Sequence, residues 1–153
     1  MIMRAGIDDL LSIKWITEHT IKMIYPHYYP PGAVQFFLDH HSTDNIRKDI
    51  EDGNVYYYMM PNGSITGTVT INGDEINRLF VLPDHQGIGY GSALLDFAEK
   101  IISEYYPVIK LSASFPAKQI YLRKGYTSAS FHVIDAPDGD KLCYDYMEKP
   151  AVK

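Results

Sequence analysis

Residues 79–100, LFVLPDHQGIGYGSALLDFAEK, place a strand-like run, three glycines and a helix-like run in direct succession. Gly87, Gly89 and Gly91 are unfavourable inside a strand or a helix, because ordering glycine costs more backbone entropy than ordering any other residue. They therefore mark a turn whose backbone must adopt positive φ angles or approach another group closely. A strand, a turn and a helix in this order begin a strand–helix–strand unit, which commits this part of the chain to an α/β fold.

The segments on either side of this unit predict further strands and helices. Alternation of apolar and polar residues, β-branched and aromatic content and turn residues predict strands at residues 2–6, 54–60, 64–71, 75–82, 108–114, 131–134 and 141–148. Helical spacing of apolar residues predicts helices at residues 8–25, 34–41, 43–53, 92–106 and 116–125. Hairpins come first and a helical crossover follows, so we expect a mixed central sheet of about six to seven strands.

Length and composition limit the class of protein. A chain of 153 residues with 46% hydrophobic residues predicts one domain spanning residues 1–153. The net charge of -5 argues against a nucleic-acid partner. The absence of a long apolar run argues against a membrane partner. The single cysteine, Cys143, excludes an intrachain disulfide and a cysteine-rich zinc site. The pair His40-His41 lacks further ligands at a suitable spacing, so no metal is expected.

The first residues and the cysteine content also bear on localisation. Asp8 and Asp9 interrupt the N-terminal segment early, so it does not read as a signal peptide. A single cysteine is typical of a reducing compartment. We therefore expect the protein in the cytoplasm.

Two well-known glycine-rich phosphate loops fit the glycine segment poorly. A P-loop requires Gly-Lys-Ser/Thr, whereas Ser92 and Ala93 follow Gly91 here. A dinucleotide fingerprint requires G-x-G-x-x-G, whereas this segment reads G-x-G-x-G. The general physical signal remains, because backbone N–H groups of a glycine turn at a helix N-terminus can bind a pyrophosphate without a lysine.

Two motifs give the sequence a family resemblance. Residues 86–91, QGIGYG, match the Q/R-x-x-G-x-G/A signature of the GCN5-related N-acetyltransferases, the GNAT superfamily. Residues 113–126, ASFPAKQIYLRKGY, resemble the family's A-S-x-x-A-x-x-x-Y-x-x-x-G-F/Y pattern at its fifth strand and fourth helix. The order of strands and helices around both motifs agrees with the family, so the resemblance covers nearly the whole chain.

The resemblance implies an α/β (α+β) GNAT fold with helices on both faces of the sheet and splayed fourth and fifth strands. It also implies acetyl-coenzyme A as donor, with the pantetheine arm in the gap between those strands. The positions that it assigns to cofactor binding are Phe80, Val81, Gln86, Gly87, Ile88, Gly89, Tyr90, Gly91, Ser92 and Ser114. Lys118, Arg123 and Lys124 are the cations nearest the second motif and could meet the adenosine 3′-phosphate.

The resemblance also assigns catalytic roles by position. Glu75 lies eleven residues before Gln86, the offset of the glutamate base in histone-acetylating members of the family. It could act directly or through a water, or it could be a solvated carboxylate at a strand start. Strand alternation predicts one shared face for Glu75, Asn77, Leu79 and Val81. His85, in the phosphate turn, is a weaker candidate for the base.

The leaving group and the carbonyl have candidate partners of their own. Tyr121 matches the tyrosine that family members place near the coenzyme A sulfur. It is the candidate general acid to the thiolate, although a packed aromatic residue is the alternative. The Val81 backbone N–H is expected to polarise the thioester carbonyl.

The acceptor site is the least readable part of the sequence. The first helices and the last strand pair form its walls in the family, so Tyr25, Tyr28 and Tyr29 are candidate substrate-binding residues. Their alternative is an apolar lid packed on the sheet. The sequence thus predicts an N-acetyltransferase that moves an acetyl group to a primary amine of a small molecule or peptide, by direct attack in a ternary complex. A non-catalytic module that senses acyl-coenzyme A or binds a protein is the alternative, and a homodimer stays open.

Overall fold

The computed structural model describes residues 1–136 and 138–152. Within them, strands alternate with helices in chain order. The strands are β1 (Ile2–Arg4), β2 (Val55–Met59), β3 (Ile65–Asn72), β4 (Glu75–Val81), β5 (Val108–Ala113), β6 (Thr127–Asp135) and β7 (Lys141–Pro150). The α-helices are α1 (Leu10–Ile24), α2 (Pro31–His40), α3 (Thr43–Glu51), α4 (Tyr90–Ser103) and α5 (Phe115–Arg123).

The strands form one seven-stranded sheet in the order β1-β2-β3-β4-β5-β7-β6. Every neighbouring pair is antiparallel except β4 and β5, which are parallel because α4 connects them as a crossover. This arrangement confirms the predicted mixed α/β sheet.

Helices cover both faces of the sheet, as expected. One apolar cluster packs α4 and Tyr121 of α5 against the central strands. On the opposite face, α1, α2 and α3 bury a second set of side chains that includes Tyr57 and Phe80. None of the helices in the described part of the chain has the length and apolar character that a membrane span requires.

Strands β4 and β5 pair only at the first two residues of β4, which lie opposite the middle of β5. The pairs are Glu75 with Lys110 and Ile76 with Leu111, and no pairing follows along the rest of either strand. The predicted splay of these strands is therefore present, and it opens a gap in the middle of the sheet.

A β-bulge interrupts β4. Thr68 pairs with Phe80, but Thr70 pairs with Asn77, so β4 carries one extra residue between these points. Within the bulge Arg78 has a φ of 47°, in the left-handed region that non-glycine residues rarely adopt.

The bulge makes the predicted common face of β4 wrong. An extra residue reverses the side-chain alternation, so Val81 and Glu75 lie on opposite faces of the sheet. Val81 packs with Ile76 in the cluster beneath α4, whereas Phe80 packs on the α1–α2 side. Phe80, rather than Val81, shares the face of Glu75.

Helix α4 begins at the glycine turn and two residues earlier than the sequence pattern predicts. Gly89 is its N-cap with a φ of 105°, and its C=O accepts the Ala93 N–H at 3.0 Å. The buried face of α4 consists of Leu94, Leu95, Ala98, Glu99 and Ile102. The helix ends at Ser103, three residues earlier than predicted, because the chain turns there towards β5. Tyr105 lies beyond this end and is exposed.

Candidate functional site

A groove of about 520 Å³ lies at the splay of β4 and β5. Its walls are the end of β4, the glycine turn, the start of α4, one side of α5, and the end of α1 with the connection that follows it. Eight of the residues expected to bind the cofactor line it: Phe80, Val81, Gln86, Gly87, Gly89, Gly91, Ser92 and Ser114. The two motifs therefore meet in space around one groove.

Two residues of the glycine segment point elsewhere. The Ile88 side chain is 65% exposed at the tip of the turn. The Tyr90 ring packs on the Tyr58 ring with centroids 4.7 Å apart. Neither side chain is part of the groove lining in the described chain.

The glycine turn has the geometry of an anion cradle. Gly87 and Gly89 have φ angles of 78° and 105°, and a Cβ at either position would meet no protein atom within 4 Å. The space beside them is open, and a side chain would enter it. The first N–H groups of α4 have no partners within the helix and face this end of the groove. Gln86 anchors the turn, because its Nε2 donates to the Val81 C=O at 2.8 Å.

The backbone of β4 directs one N–H into the gap. Leu82 N–H donates to the Thr66 C=O at 2.9 Å, which makes these residues a hydrogen-bonded pair across β3 and β4. Hydrogen-bonded and non-bonded pairs alternate along an antiparallel ladder. The neighbouring pair, Val81 with Gly67, is therefore non-bonded, and the Val81 N–H points away from β3. Phe80 N–H and C=O instead belong to the ladder, so Phe80 contributes its side chain to the groove.

Tyr121 projects from α5 to the inner end of the groove. Its side chain is 7% exposed and packs edge-on against the Tyr126 ring with centroids 5.6 Å apart. Burial raises the pKa of the Tyr121 phenol, and the nearby Tyr25 adds to this effect. The phenol therefore keeps its proton and can act as a donor.

Ser114 and Tyr25 form a pair beside Tyr121. The Tyr25 hydroxyl donates to Ser114 Oγ at 3.3 Å. Burial raises the pKa of Tyr25 to about 12, although the hydrogen bond with Ser114 by itself lowers this pKa. Ser114 is also the N-cap residue of α5, so this pair joins the end of α1 to the start of α5.

The other two tyrosines of the acceptor prediction differ in their surroundings. Tyr28 is 52% exposed and lines the outer part of the groove. Tyr29 is buried, and its hydroxyl accepts the Phe115 N–H at 2.7 Å and donates to the Cys143 C=O at 3.2 Å. Burial raises the pKa of Tyr29. Its hydroxyl is thus engaged in tying the α1–α2 connection to β7 and α5.

A second cavity of about 500 Å³ lies on the α2 side of the sheet. Its walls come from α2, most of β4, and strands β6 and β7, with further residues from β5 and α5. It shares five lining residues with the first groove: Leu79, Phe80, Ser114, Ala117 and Tyr121. The two spaces therefore meet at the splay, with Tyr121 at their junction.

Glu75 lies in this second cavity, at the start of β4. The carboxyl group is half-buried, and this burial raises its pKa; Asp74 adds to the rise and Lys110 opposes it. Lys110 is itself occupied with Asp74 at 3.0 Å. A carboxylate with a raised pKa is a better proton acceptor than a solvated one.

A network in the wall of the second cavity was not predicted from the sequence. Arg78 Nη1 lies 2.5 Å from Asp49 Oδ2, and Arg78 Nε donates to His41 Nδ1 at 3.1 Å. Burial lowers the pKa of His41 to about 3, with smaller contributions from Arg78 and His40. His41 is therefore neutral, and its Nε2 carries the proton because Nδ1 accepts from Arg78. No local pattern indicates this network, since its members lie on α2, α3 and β4.

The three cations of the second motif have different environments. Lys118 forms an ion pair with buried Asp145 at 2.9 Å. Arg123 is exposed on α5. Lys124 lines the groove, and its nearest carboxylate oxygen, on Asp96, is 4.0 Å away. Of the three, Lys124 is the cation that lines the groove.

Two further candidates concern a base and a metal. His85 lies in the short turn before the glycines, with its ring centroid 6.3 Å from that of Tyr90. Among the described residues, no group of three or more His, Cys, Asp or Glu side chains is placed to hold a metal ion.

Sequence comparison decides the family. The sequence model of the acetyltransferase (GNAT) domain matches residues 24–135, which is most of the chain. The chain belongs to the GNAT acetyltransferase family. No curated protein matches the sequence. The family resemblance drawn from the two motifs is thus confirmed.

Solved GNAT structures share the fold over almost the whole chain. A GCN5-related N-acetyltransferase from Rhodopseudomonas palustris has a TM-score of 0.88 at 18% identity, covering 98% of this chain and 94% of that one. PaiA N-acetyltransferase from Thermoplasma acidophilum, solved with coenzyme A, has a TM-score of 0.72 at 19% identity, covering 98% of each chain. YncA from Salmonella typhimurium, solved with its cofactor acetyl-CoA, has a TM-score of 0.73 at 21% identity, covering 100% and 94%. At these identities the likeness establishes the GNAT fold.

Proposed function

We propose that this GNAT protein is an N-acetyltransferase that moves the acetyl group of acetyl-CoA to a primary amine by direct attack in a ternary complex. The observation that carries the proposal is the meeting of two cavities at one point. One contains an anion cradle, the other contains a carboxylate, and they share Tyr121, Ser114 and Phe80. Such an arrangement brings a donor and an acceptor together from opposite sides of the sheet.

The donor half of the site fits a coenzyme A thioester. The glycine turn and the N-terminus of α4 would hold the pyrophosphate, and Lys124 is available to the adenosine 3′-phosphate. The open space beside Gly87 and Gly89 supports this assignment, because a bulkier residue would fill it. Acetyl-CoA supplies the activated acyl group, and both PaiA and yncA are described with this cofactor or its parent.

The acceptor half must first remove a proton from the amine. An alkyl ammonium has a pKa of about 10.4 and is not nucleophilic while protonated. Glu75, directly or through a water, takes this proton before the amine nitrogen attacks the carbonyl carbon. The second N–H proton leaves as the amide forms and is transferred to the departing thiolate or to water. Its raised pKa makes the Glu75 carboxylate a stronger base than a surface glutamate.

The carbonyl and the leaving group are served by β4 and α5. The Val81 N–H points away from β3 and is free to donate to the thioester carbonyl oxygen. As the C–S bond breaks, the Tyr121 hydroxyl donates to the departing sulfur. The ordinary pKa of a thiol, about 8.5, lies below that of the phenol, so full proton transfer from Tyr121 to the thiolate is unfavourable. Tyr121 therefore stabilises the thiolate mainly by donating a hydrogen bond to it.

Two measurements on the wild-type protein test the proposal. Calorimetry with acetyl-CoA should give a dissociation constant in the micromolar range, as expected for a built site. Incubation with acetyl-CoA and a library of amines should then release free thiol in proportion to the amine consumed. Tight binding without release from any amine would support a non-catalytic sensing module instead. No binding at millimolar acetyl-CoA would overturn both the transferase proposal and the alternative of a sensing module.

A further inference from the structure

We infer that the acceptor is an amine carrying one positive charge on an apolar, aromatic body, of the size of 2-phenylethylamine or tryptamine. The inference rests on the proposed function, since it concerns the acceptor of that transfer. It is carried by the charge, the aromatic walls and the size of the second cavity.

The charge of the cavity suits a single ammonium group. Glu75 is the carboxylate that faces the cavity from the described lining. The other lining residue with a fixed charge, Arg78, is already neutralised by Asp49 at 2.5 Å. His41 adds no charge, because burial lowers its pKa to about 3. One cation is therefore balanced in this space, and a second cation is not.

Aromatic side chains form part of the cavity wall, beside polar residues such as Asn77 and Ser112. Phe36 and Phe37 contribute from α2, Tyr144 from β7 and Phe80 from β4. The His41 ring stands edge-on to Phe80 with centroids 5.7 Å apart, so the imidazole extends this aromatic surface. Aromatic faces favour ring stacking and accept a cation at their π surface.

The same features disfavour other amines. A polyamine would bury a second ammonium without a carboxylate, which costs binding free energy because a buried charge needs a partner. An amino acid would place its carboxylate near Glu75, and Arg78 cannot pair with it without leaving Asp49. Selectivity against these two classes therefore comes from unpaired charge, and selectivity for aromatic amines comes from contact area.

The size and rigidity of the cavity agree with a small acceptor. A volume of about 500 Å³ is within the usual range for small-ligand pockets. The two main walls are joined to each other, because the Gly32 N–H at the start of α2 donates to Asp140 Oδ2 at 2.8 Å in the β6–β7 connection. Walls fixed before binding reduce the entropy cost of holding a ligand.

A matched set of amines tests the inference by thiol release. The set contains 2-phenylethylamine, spermidine, phenylalanine and an alanine-headed tripeptide, each at saturating acetyl-CoA. We expect kcat/KM for 2-phenylethylamine to exceed those for the other three by at least tenfold. Equal or higher kcat/KM for any of the other three would overturn the inference while leaving the transferase proposal in place. No thiol release from any amine would contradict the transferase proposal itself and this inference with it.

A pair of variants locates the preference in the aromatic wall. Phe36→Leu should raise the KM for 2-phenylethylamine about tenfold and leave the KM for acetyl-CoA unchanged, because Phe36 lines the second cavity and not the groove. Phe131→Leu makes the same change on exposed β6, outside both cavities, and should alter neither KM. An unchanged KM for 2-phenylethylamine in Phe36→Leu, with wild-type melting temperature, would contradict the assignment of this wall.

Discussion

Burial shifts the pKa values of three side chains around the candidate site, and each shift favours the neutral form. The pKa of Glu75 and that of Tyr121 are raised, whereas that of His41 is lowered to about 3. Desolvation is the main cause in each case, because a charge loses its hydration when it is buried. The neutral His41 accepts a hydrogen bond from Arg78, and the neutral Tyr121 can donate one. The raised pKa of Glu75 means that its carboxylate has an increased affinity for a proton.

Glu75→Gln should remove the base and change the pH profile. In the wild-type protein kcat/KM should fall as the pH drops through the raised pKa of Glu75, since the carboxylate must be deprotonated to accept a proton. The variant should lose about 10²-fold in kcat/KM and lack this acidic limb. A variant that keeps the limb would show that another group is the base.

Glu75→Gln also has a stability consequence of definite sign. A carboxyl group whose folded pKa is raised favours folding while protonated, below its unfolded pKa, and loses that contribution as the pH rises through the folded pKa. At pH 7 the charged Glu75 is therefore a cost to the folded state. The free energy of unfolding of the variant, measured in urea at pH 7, should equal or exceed that of the wild type.

Tyr121→Phe should lower kcat at least tenfold while the dissociation constant for acetyl-CoA changes less than about twofold. The variant removes only the hydroxyl, and the ring still fills its site. Tyr126→Phe is the matched control in the same cluster. It loses the 2.9 Å hydrogen bond to Glu99, so it should lower stability by about 1 kcal/mol and leave kcat close to wild type. Similar kcat values for both variants would assign Tyr121 a packing role.

At the scale of secondary structure, the site depends on two irregularities next to regular elements. The glycine turn starts α4 with left-handed residues, and the bulge at Arg78 shifts the alternation of β4. The positive φ of Arg78 has a cost in backbone strain, whereas the glycines adopt theirs without steric strain, and both irregularities present groups that a regular strand or helix would not.

Gly89→Ala should weaken acetyl-CoA binding at least tenfold. Its φ of 105° strains any residue with a Cβ, and the added methyl group would enter the open space of the groove. Gly63→Ala is the control, because Gly63 has a φ of 86° in the β2–β3 turn and open space as well. Both variants should lose about 1–2 kcal/mol of stability, but only Gly89→Ala should change the calorimetric dissociation constant. Equal affinities would contradict the cradle.

Asp49→Asn should destabilise the protein by about 3 kcal/mol in urea unfolding. It leaves the Arg78 charge, whose side chain is 8% exposed, without its counterion. Asp44→Asn on the same helix removes the partner of Arg47 from a solvent-exposed pair, since Asp44 is 92% exposed, and should cost less than about 0.5 kcal/mol. A small effect of Asp49→Asn would mean that water reaches Arg78 and that the bulge is not fixed by this pair.

At the scale of the whole molecule, the sequence predicts well those features that depend on residues close together in the chain. The order of elements follows from local periodicity, and the groove follows from two motifs whose glycines and Tyr121 have specific backbone or contact requirements. The bulge at Arg78 is not predictable in this way, because arginine has no preference for a positive φ. Contacts that join distant segments, such as Tyr29 with Phe115 and Lys118 with Asp145, also have no local signal. The second cavity likewise takes its walls from segments far apart in the sequence, so no local pattern predicts it.

The groove and the acceptor cavity take most of their walls from different elements, and this has an evolutionary consequence. In the described chain, α2 and β7 line the acceptor cavity and contribute nothing to the groove, whereas α4 lines only the groove. Under the proposed function, mutations in α2 or β7 would change which amine is selected and leave the residues that line the groove unchanged. A lineage of gene duplicates can diversify its substrates on such a scaffold one wall at a time.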